Sequence, residues 1–159
     1  MRSHFYFAYG SNMNPARVVR RKMGYTLCES GTLSGYKLAF NKRSVKYPGA
    51  ASANVVEHRD SHVEGVVYHL TDRHQITKMD PFEGYPVRYN RVLAPVKTVN
   101  GFIDVWVYVA NPDFIEEGLK PASWYLNHLL SGCEFLSADY VEQLAGTVCL
   151  PDSELEPDP

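Results

Sequence analysis

The stretch from His4 to Pro15 constrains the fold of this chain more than any other. His4-Phe5-Tyr6-Phe7-Ala8-Tyr9 is an apolar, aromatic run of strand character. It breaks at Gly10-Ser11-Asn12, and Asn14-Pro15 then supplies a helix N-cap and a first-turn proline. A strand that ends in a glycine turn just before a helix start leaves several backbone N–H groups facing one spot. Such a spot suits a carboxylate or a developing oxyanion. Gly10 is expected to take a positive φ there and to let a ligand approach the backbone. The same residues serve equally well as a plain strand-to-helix connection, and alone they do not separate the two readings.

The rest of the chain is punctuated by turn residues. The spacing predicts a strand over 4–9 and a helix over 15–23 stopped by Gly24. Strands are expected over 25–33 and 36–41, parted at Ser34-Gly35, followed by a loop from Asn41 to Gly49. Residues 51–57 and 63–70 alternate as a hairpin turning at Arg59-Asp60-Ser61. Thr71 is placed to cap a helix over 72–80 with Ile76 and Met79 inward; Pro81 is expected to end it and to open a turn-rich loop reaching Pro86. Strands over 87–98 and 102–110 flank Asn100-Gly101, a type I′ hairpin signal. Pro121 opens a helix over 121–133 whose Tyr125, Leu129 and Gly132 share a stripe, and Ser137 caps a last helix over 138–145. Strands joined by hairpins cannot all be parallel neighbours. The expected class is therefore α+β, with a mixed or mostly antiparallel sheet able to curl into a barrel and helices outside it. Without an internal linker or repeat, residues 1–150 read as one domain, and 151–159 as an acidic, mobile tail.

Charge and cysteine content exclude several classes. The net charge is −2, and four of the acids (Asp152, Glu154, Glu156, Asp158) lie in the tail, so neither the chain nor its body calls for nucleic acid. Arg17, Arg20, Arg21 and Lys22 read as a solvated helix face with cations near its C-terminus. No apolar run approaches the ~20 residues of a spanning helix, and no signal-peptide pattern follows Met1, so no membrane is implicated. Cys28, Cys133 and Cys149 suggest neither a disulfide framework nor a metal knuckle, which favours a reduced, cytoplasmic protein. His58 and His62 flank an expected turn, and His69, His74 and His128 lack companion ligands, so no metal is expected. There is no nucleophile elbow, phosphate loop or dinucleotide fingerprint. Glu83 stands out: it sits between Phe82 and Gly84, bounded by Pro81 and Pro86. A carboxylate beside apolar groups has its charged form disfavoured and its pKa raised toward acid–base duty. Taken alone, an exposed loop glutamate fits the same residues.

Phe7-Ala8-Tyr9-Gly10-Ser11-Asn12-Met13 resembles the opening signature of the γ-glutamylcyclotransferase family. Met79-Asp80-Pro81-Phe82-Glu83-Gly84 resembles the family's segment carrying the catalytic glutamate. Tyr108, in Val105-Trp106-Val107-Tyr108-Val109, and the stretch Trp124-Tyr125 to Gly132 resemble two further elements, all in the family's order over residues 5 to 145. The resemblance implies a small β-barrel with flanking helices. It also implies cyclisation of a γ-glutamyl amide to 5-oxoproline without cofactor or metal. Glu83 would be the catalytic acid–base. Tyr9, Gly10, Ser11, Asn12, Tyr89, Tyr108 and Tyr125 would bind substrate, although Asn12 could instead stabilise its turn. The partner would be a small γ-glutamyl compound; the oligomeric state is left open. The leaving group stays open too, among amino acids, polyamines, a lysine ε-amide and an antibiotic intermediate, with loop 42–50 and segment 111–120 expected to shape that half of the pocket. A non-catalytic module holding a γ-glutamyl or amino-acid-like ligand in the same cavity is the second reading.

Overall fold

The computed structural model describes residues 3–151. Five strands, β1 (Phe5–Ala8), β2 (Tyr25–Arg43), β3 (Ala51–Leu70), β4 (Tyr89–Thr98) and β5 (Gly101–Ala110), close into a barrel in the order β1-β3-β2-β4-β5. Helices α1 (Pro15–Arg20), α2 (Ile76–Glu83), α3 (Ser123–Leu130) and α4 (Ala138–Ala145) flank it. The pairings are antiparallel except at the seam, where β1 and β5 run parallel through Tyr6 and Trp106. This is the mixed, mostly antiparallel α+β barrel that the hairpin signals imply. The expected acidic tail lies outside the described residues beyond Pro151.

Alternation along β1 divides the core. Phe7 and Tyr9 join Leu33, Val55, Val63, Val67, Val96, Val105 and Val107 in one buried cluster. Tyr6 and Ala8 face the other way and pack with Met13, Val18, Ile76, Met79 and Leu129, which come from the helices and the turn before them. β1 is thus covered on both faces, which explains its unbroken apolar composition. Gly31 and Gly65 pair directly across β2 and β3, and their missing side chains leave room for the Phe7 ring. A Cβ on Gly65 would lie 2.4 Å from the Ala8 carbonyl oxygen and 2.9 Å from the Phe7 ring. Gly65→Ala is therefore expected to destabilise the fold by about 3 kcal/mol, at the upper end of overpacking costs. The measurement is a fall in the urea midpoint at unchanged m-value; an unshifted midpoint would refute this account of the pair.

Several expected boundaries move. β2 runs unbroken through Ser34-Gly35, with Gly35 at φ +82° where the register shifts. β3 likewise runs through Arg59-Asp60-Ser61 instead of turning there. Between the pairs Ser34–His62 and Tyr36–Glu57, two steps along β2 match five along β3. The turn residues are absorbed in an irregular bulge, and the chain reverses between Arg43 and Ala51, where β2 and β3 form the hairpin. In the β4–β5 turn the positive φ is at Gly101, +105°, and Asn100 has none, so this is not the expected type I′ pair. α1 stops at Arg20, with Lys22 at φ +63° before Gly24 is reached. α3 begins at Ser123 and ends at Leu130, shorter than predicted at both ends.

The consequential difference is at α2. It starts at Ile76, since Asp72 holds the preceding turn through the N–H of His74 at 2.8 Å, and Thr71 does not cap it. It continues through Pro81 to Glu83. Proline removes one intrahelical N–H, a tolerable loss where side chains anchor the helix from outside. Asp80 does this: it accepts from Arg91 Nε at 2.9 Å and Nη2 at 3.2 Å, and from the Tyr108 hydroxyl at 2.7 Å. Arg91 is itself held between the Tyr85 and Trp106 rings, 4.6 and 4.5 Å from their centroids. Gly84, at φ +71°, ends the helix, and the Tyr85 N–H closes back on the Asp80 carbonyl at 3.0 Å. Glu83 is therefore on a helix end clamped to the barrel, not in a loop.

Candidate active site

A cavity of about 240 Å³ opens where the turn after β1, the end of α2, the start of α3 and the β2–β3 connection meet. Glu83, Tyr9, Gly10, Ser11, Asn12, Tyr89, Tyr108 and Tyr125 all line it, so the structure brings every sequence-derived candidate to one place.

The turn is built as the sequence suggests. Asn14 caps α1, its side chain accepting from the Ala16 N–H at 3.2 Å, and Pro15 takes the first helical position. Gly10 differs from expectation: its φ is −112°, so a left-handed conformation is not what requires glycine. Space is. A Cβ there would meet the Tyr125 hydroxyl at 3.0 Å and Ala53 Cβ at 3.2 Å.

Asn12 carries a role the sequence only hinted at. It is 2% exposed and its Nδ2 donates to Glu83 Oε1 at 3.1 Å, with the Tyr6 hydroxyl at 3.0 Å. Arg21 Nη1 donates to its Oδ1 at 3.3 Å, which fixes which way the amide faces. The Tyr68 hydroxyl anchors its backbone carbonyl at 2.6 Å. Asn12 thus positions Glu83 as well as stabilising the turn. Burial pushes the Glu83 carboxyl above its ordinary range, while Arg21, Lys42, Arg17 and Arg88 pull the other way.

The tyrosines divide by what their hydroxyls do. Tyr9 donates to the Tyr108 carbonyl at 2.6 Å, Tyr89 to the Ala53 carbonyl at 2.7 Å, and Tyr108 to Asp80. Their rings wall the cavity while their polar ends are committed to the frame. Tyr125 is different. Its oxygen accepts the Ala53 N–H at 2.8 Å, and the Ser11 N–H acts on the same oxygen. That leaves its own proton to donate. Burial pushes this phenol up to about 12, the two amides acting against it.

Sequence reasoning missed the basic wall. Arg17 is 3% exposed and lines the cavity with Arg21, so these two are not part of a solvated face, whereas Arg20 and Lys22 are. Lys42, Lys46 and Arg88 also line the cavity. Loop 42–50 contributes Lys42, Ser44, Val45, Lys46 and Tyr47, as expected. Segment 111–120 does not reach the cavity; its Phe114 packs behind Lys42 and Arg43 instead. Of the described residues, neither histidine nor cysteine lines the cavity, and Glu83 is the one carboxylate that does. Among the described residues no three His, Cys, Asp or Glu side chains gather as a metal-ligand set, the three cysteines are free, and no helix is long and apolar enough to cross a membrane.

Comparison with known proteins agrees with this fold. The family model described as γ-glutamyl cyclotransferase, AIG2-like, matches residues 6–126. A solved structure named γ-glutamyl cyclotransferase superposes with a TM-score of 0.81 at 22% identity, covering 97% of this chain and 92% of that one. An uncharacterised human protein does so with a TM-score of 0.81 at 22% identity, over 99% and 94%. A yeast γ-glutamyl cyclotransferase described as specific to glutathione gives 0.64 at 13% identity, over 88% and 93%. No curated protein sequence matches. The chain belongs to the γ-glutamyl cyclotransferase, AIG2-like family.

Proposed function

We propose that this protein is a cyclotransferase that converts γ-glutamyl amides into 5-oxoproline and a free amine or amino acid. The observation that carries the reading is the half-buried carboxylate of Glu83, held by Asn12 in a cavity to which the described residues bring no other carboxylate and no histidine or cysteine. Such a site offers a base and no histidine- or cysteine-based nucleophile, and the α-amine of a γ-glutamyl group supplies a nucleophile from the substrate itself.

In this mechanism Glu83 removes a proton from the α-ammonium, and the freed amine attacks the γ-carbonyl carbon. The new C–N bond closes a five-membered ring and puts negative charge on the carbonyl oxygen. The Tyr125 O–H, whose oxygen already accepts the Ala53 and Ser11 amides, is a donor for that charge or for the α-carboxylate. Collapse breaks the bond to the leaving nitrogen. The attacking nitrogen sheds two protons on becoming the ring N–H, and the leaving nitrogen gains two on departing as an ammonium. One carboxylate that takes and returns protons is enough. A raised Glu83 pKa brings its basicity closer to that of the amine. The aromatic walls hold the glutamyl chain folded and restrict water.

The reading is tested by incubating the protein with γ-glutamyl amino acids, γ-glutamyl amines and glutathione, and following 5-oxoproline and free amine. Formation of both in equal amounts supports it; ligand binding without turnover of any member favours the binding-module reading. A pH dependence follows as well. Glu83 must be ionised to accept a proton, and burial lifts its folded-state pKa above the ordinary 4.5. Activity is expected to fall as pH drops through that raised value, so the acid limb of kcat/KM should lie above 4.5. A limb at or below the ordinary glutamate value would contradict Glu83 as the base.

A further inference from the structure

Lys42 is 5% exposed, yet it lines the same cavity as Glu83. Its ammonium lies over two aromatic faces, 5.5 Å from the Tyr89 centroid and 5.8 Å from that of Phe114. Among the described residues no oxygen accepts from it and no carboxylate pairs with it. Arg88, the second cation on this wall, packs so closely over Gly84 that a Cβ there would lie 2.3 Å from its Nε, and its guanidinium has no acceptor among the described residues either. Two cations brought together repel one another, and Glu83, the carboxylate whose charge acts on both, makes no ion pair with either among the described residues. Burial pulls the Lys42 ammonium down to about 8, with Arg88 and Arg43 adding to that and Glu83 opposing it. A buried ammonium in this state gains most from an incoming negative charge that accepts its hydrogen bonds.

The layout of the cavity wall points to which part of a substrate brings that charge. Ser11 and Asn12, at most 9% exposed, line the cavity beside Glu83, and Lys42 lies where β2 runs into the β2–β3 connection that lines it through Ser44, Val45, Lys46 and Tyr47. A γ-glutamyl group whose amine reaches Glu83 then has Lys42 and the β2–β3 connection left to meet its leaving group. A polyamine would carry a further cation, and no carboxylate, into this basic wall.

Resting on the cyclotransferase reading above, we infer that Lys42 and Arg88 form a carboxylate subsite for the leaving group, which makes the preferred substrates γ-glutamyl amides of carboxylate-bearing amines and disfavours cationic ones. The two residues set specificity; the proton transfers remain with Glu83.

The test is a matched pair of substrates, γ-glutamylalanine and γ-glutamylalaninamide, which share the reacting atoms and differ in the leaving group's carboxylate. The unmodified protein is expected to prefer the acid by about 10-fold or more in kcat/KM. Lys42→Met should cut kcat/KM for the acid by about 10- to 100-fold, chiefly through KM, and change the amide by less than about 3-fold. Lys42→Arg should retain the preference. Equal losses on both substrates would overturn the assignment, since Lys42 would then serve the γ-glutamyl half or the fold. A preference for the amide, or for γ-glutamylputrescine, in the unmodified protein would overturn it too. If no γ-glutamyl amino acid, γ-glutamyl amine or glutathione turns over, the cyclotransferase reading fails, and calorimetric titration with the same pair still decides the subsite. Tighter, Lys42-dependent binding of the acid upholds it; equal or absent binding of the two overturns it.

Discussion

Replacing Glu83 with glutamine is expected to lower kcat by about 10²–10⁴, the usual contribution of a positioned acid–base group. Glutamine keeps the length of the side chain, and its oxygen can still accept from Asn12 Nδ2, now 3.1 Å from Glu83 Oε1. What it loses is the ability to take and return a proton. Asp80, one helical turn earlier, cannot take over, because both its oxygens are occupied by Arg91 and one also accepts from Tyr108. The variant should unfold as cooperatively as the unmodified protein, so a rate loss with a retained transition separates chemistry from folding. Turnover within a few-fold of normal, with an active γ-glutamyl substrate in hand, would remove Glu83 from the mechanism.

The legible parts of this molecule were those governed by neighbours in sequence. The run from Phe5 to Tyr9, the Asn14-Pro15 start of α1 and the Ser137 cap of α4 depend on a few adjacent residues, and the structure has them where the spacing puts them. Glu83 was found through its flanking motif. The long β2 and β3 strands were not legible, because Ser34-Gly35 and Arg59-Asp60-Ser61 carry turn chemistry that a paired strand can absorb as a bulge. Nor was the passage of α2 through Pro81, which rests on Arg91 and Tyr108, 11 and 28 residues from Asp80. Asn12 reaches Glu83 across 71 residues of sequence, a contact no local pattern announces. The basic wall stayed hidden for a related reason. A charged residue on a short helix or at a strand end reads as solvated until the fold shows what it faces, and Arg17 and Lys42 face the cavity.

N-acetylation of the substrate is expected to abolish turnover, because in the proposed reaction the substrate's α-amine is the nucleophile. The acetyl group delocalises the lone pair that attacks, while the γ-carbonyl and the leaving group are unchanged. A hydrolase acting on the same bond would behave differently: water would attack, glutamate would be released, and an acetylated substrate would still be cleaved. The lining of the cavity favours the first outcome, since it offers one carboxylate and neither a histidine nor a cysteine beside it. Steric exclusion of the acetyl group by the walls would also stop turnover, so loss of activity alone does not decide the chemistry. Product identity does. With the free-amine substrate in isotopically labelled water, cyclisation is expected to give 5-oxoproline without label in its ring carbonyl, because that oxygen comes from the γ-carbonyl. Glutamate labelled at its γ-carboxyl and formed without prior 5-oxoproline would show that water is the nucleophile, and Glu83 would then be a base that activates water.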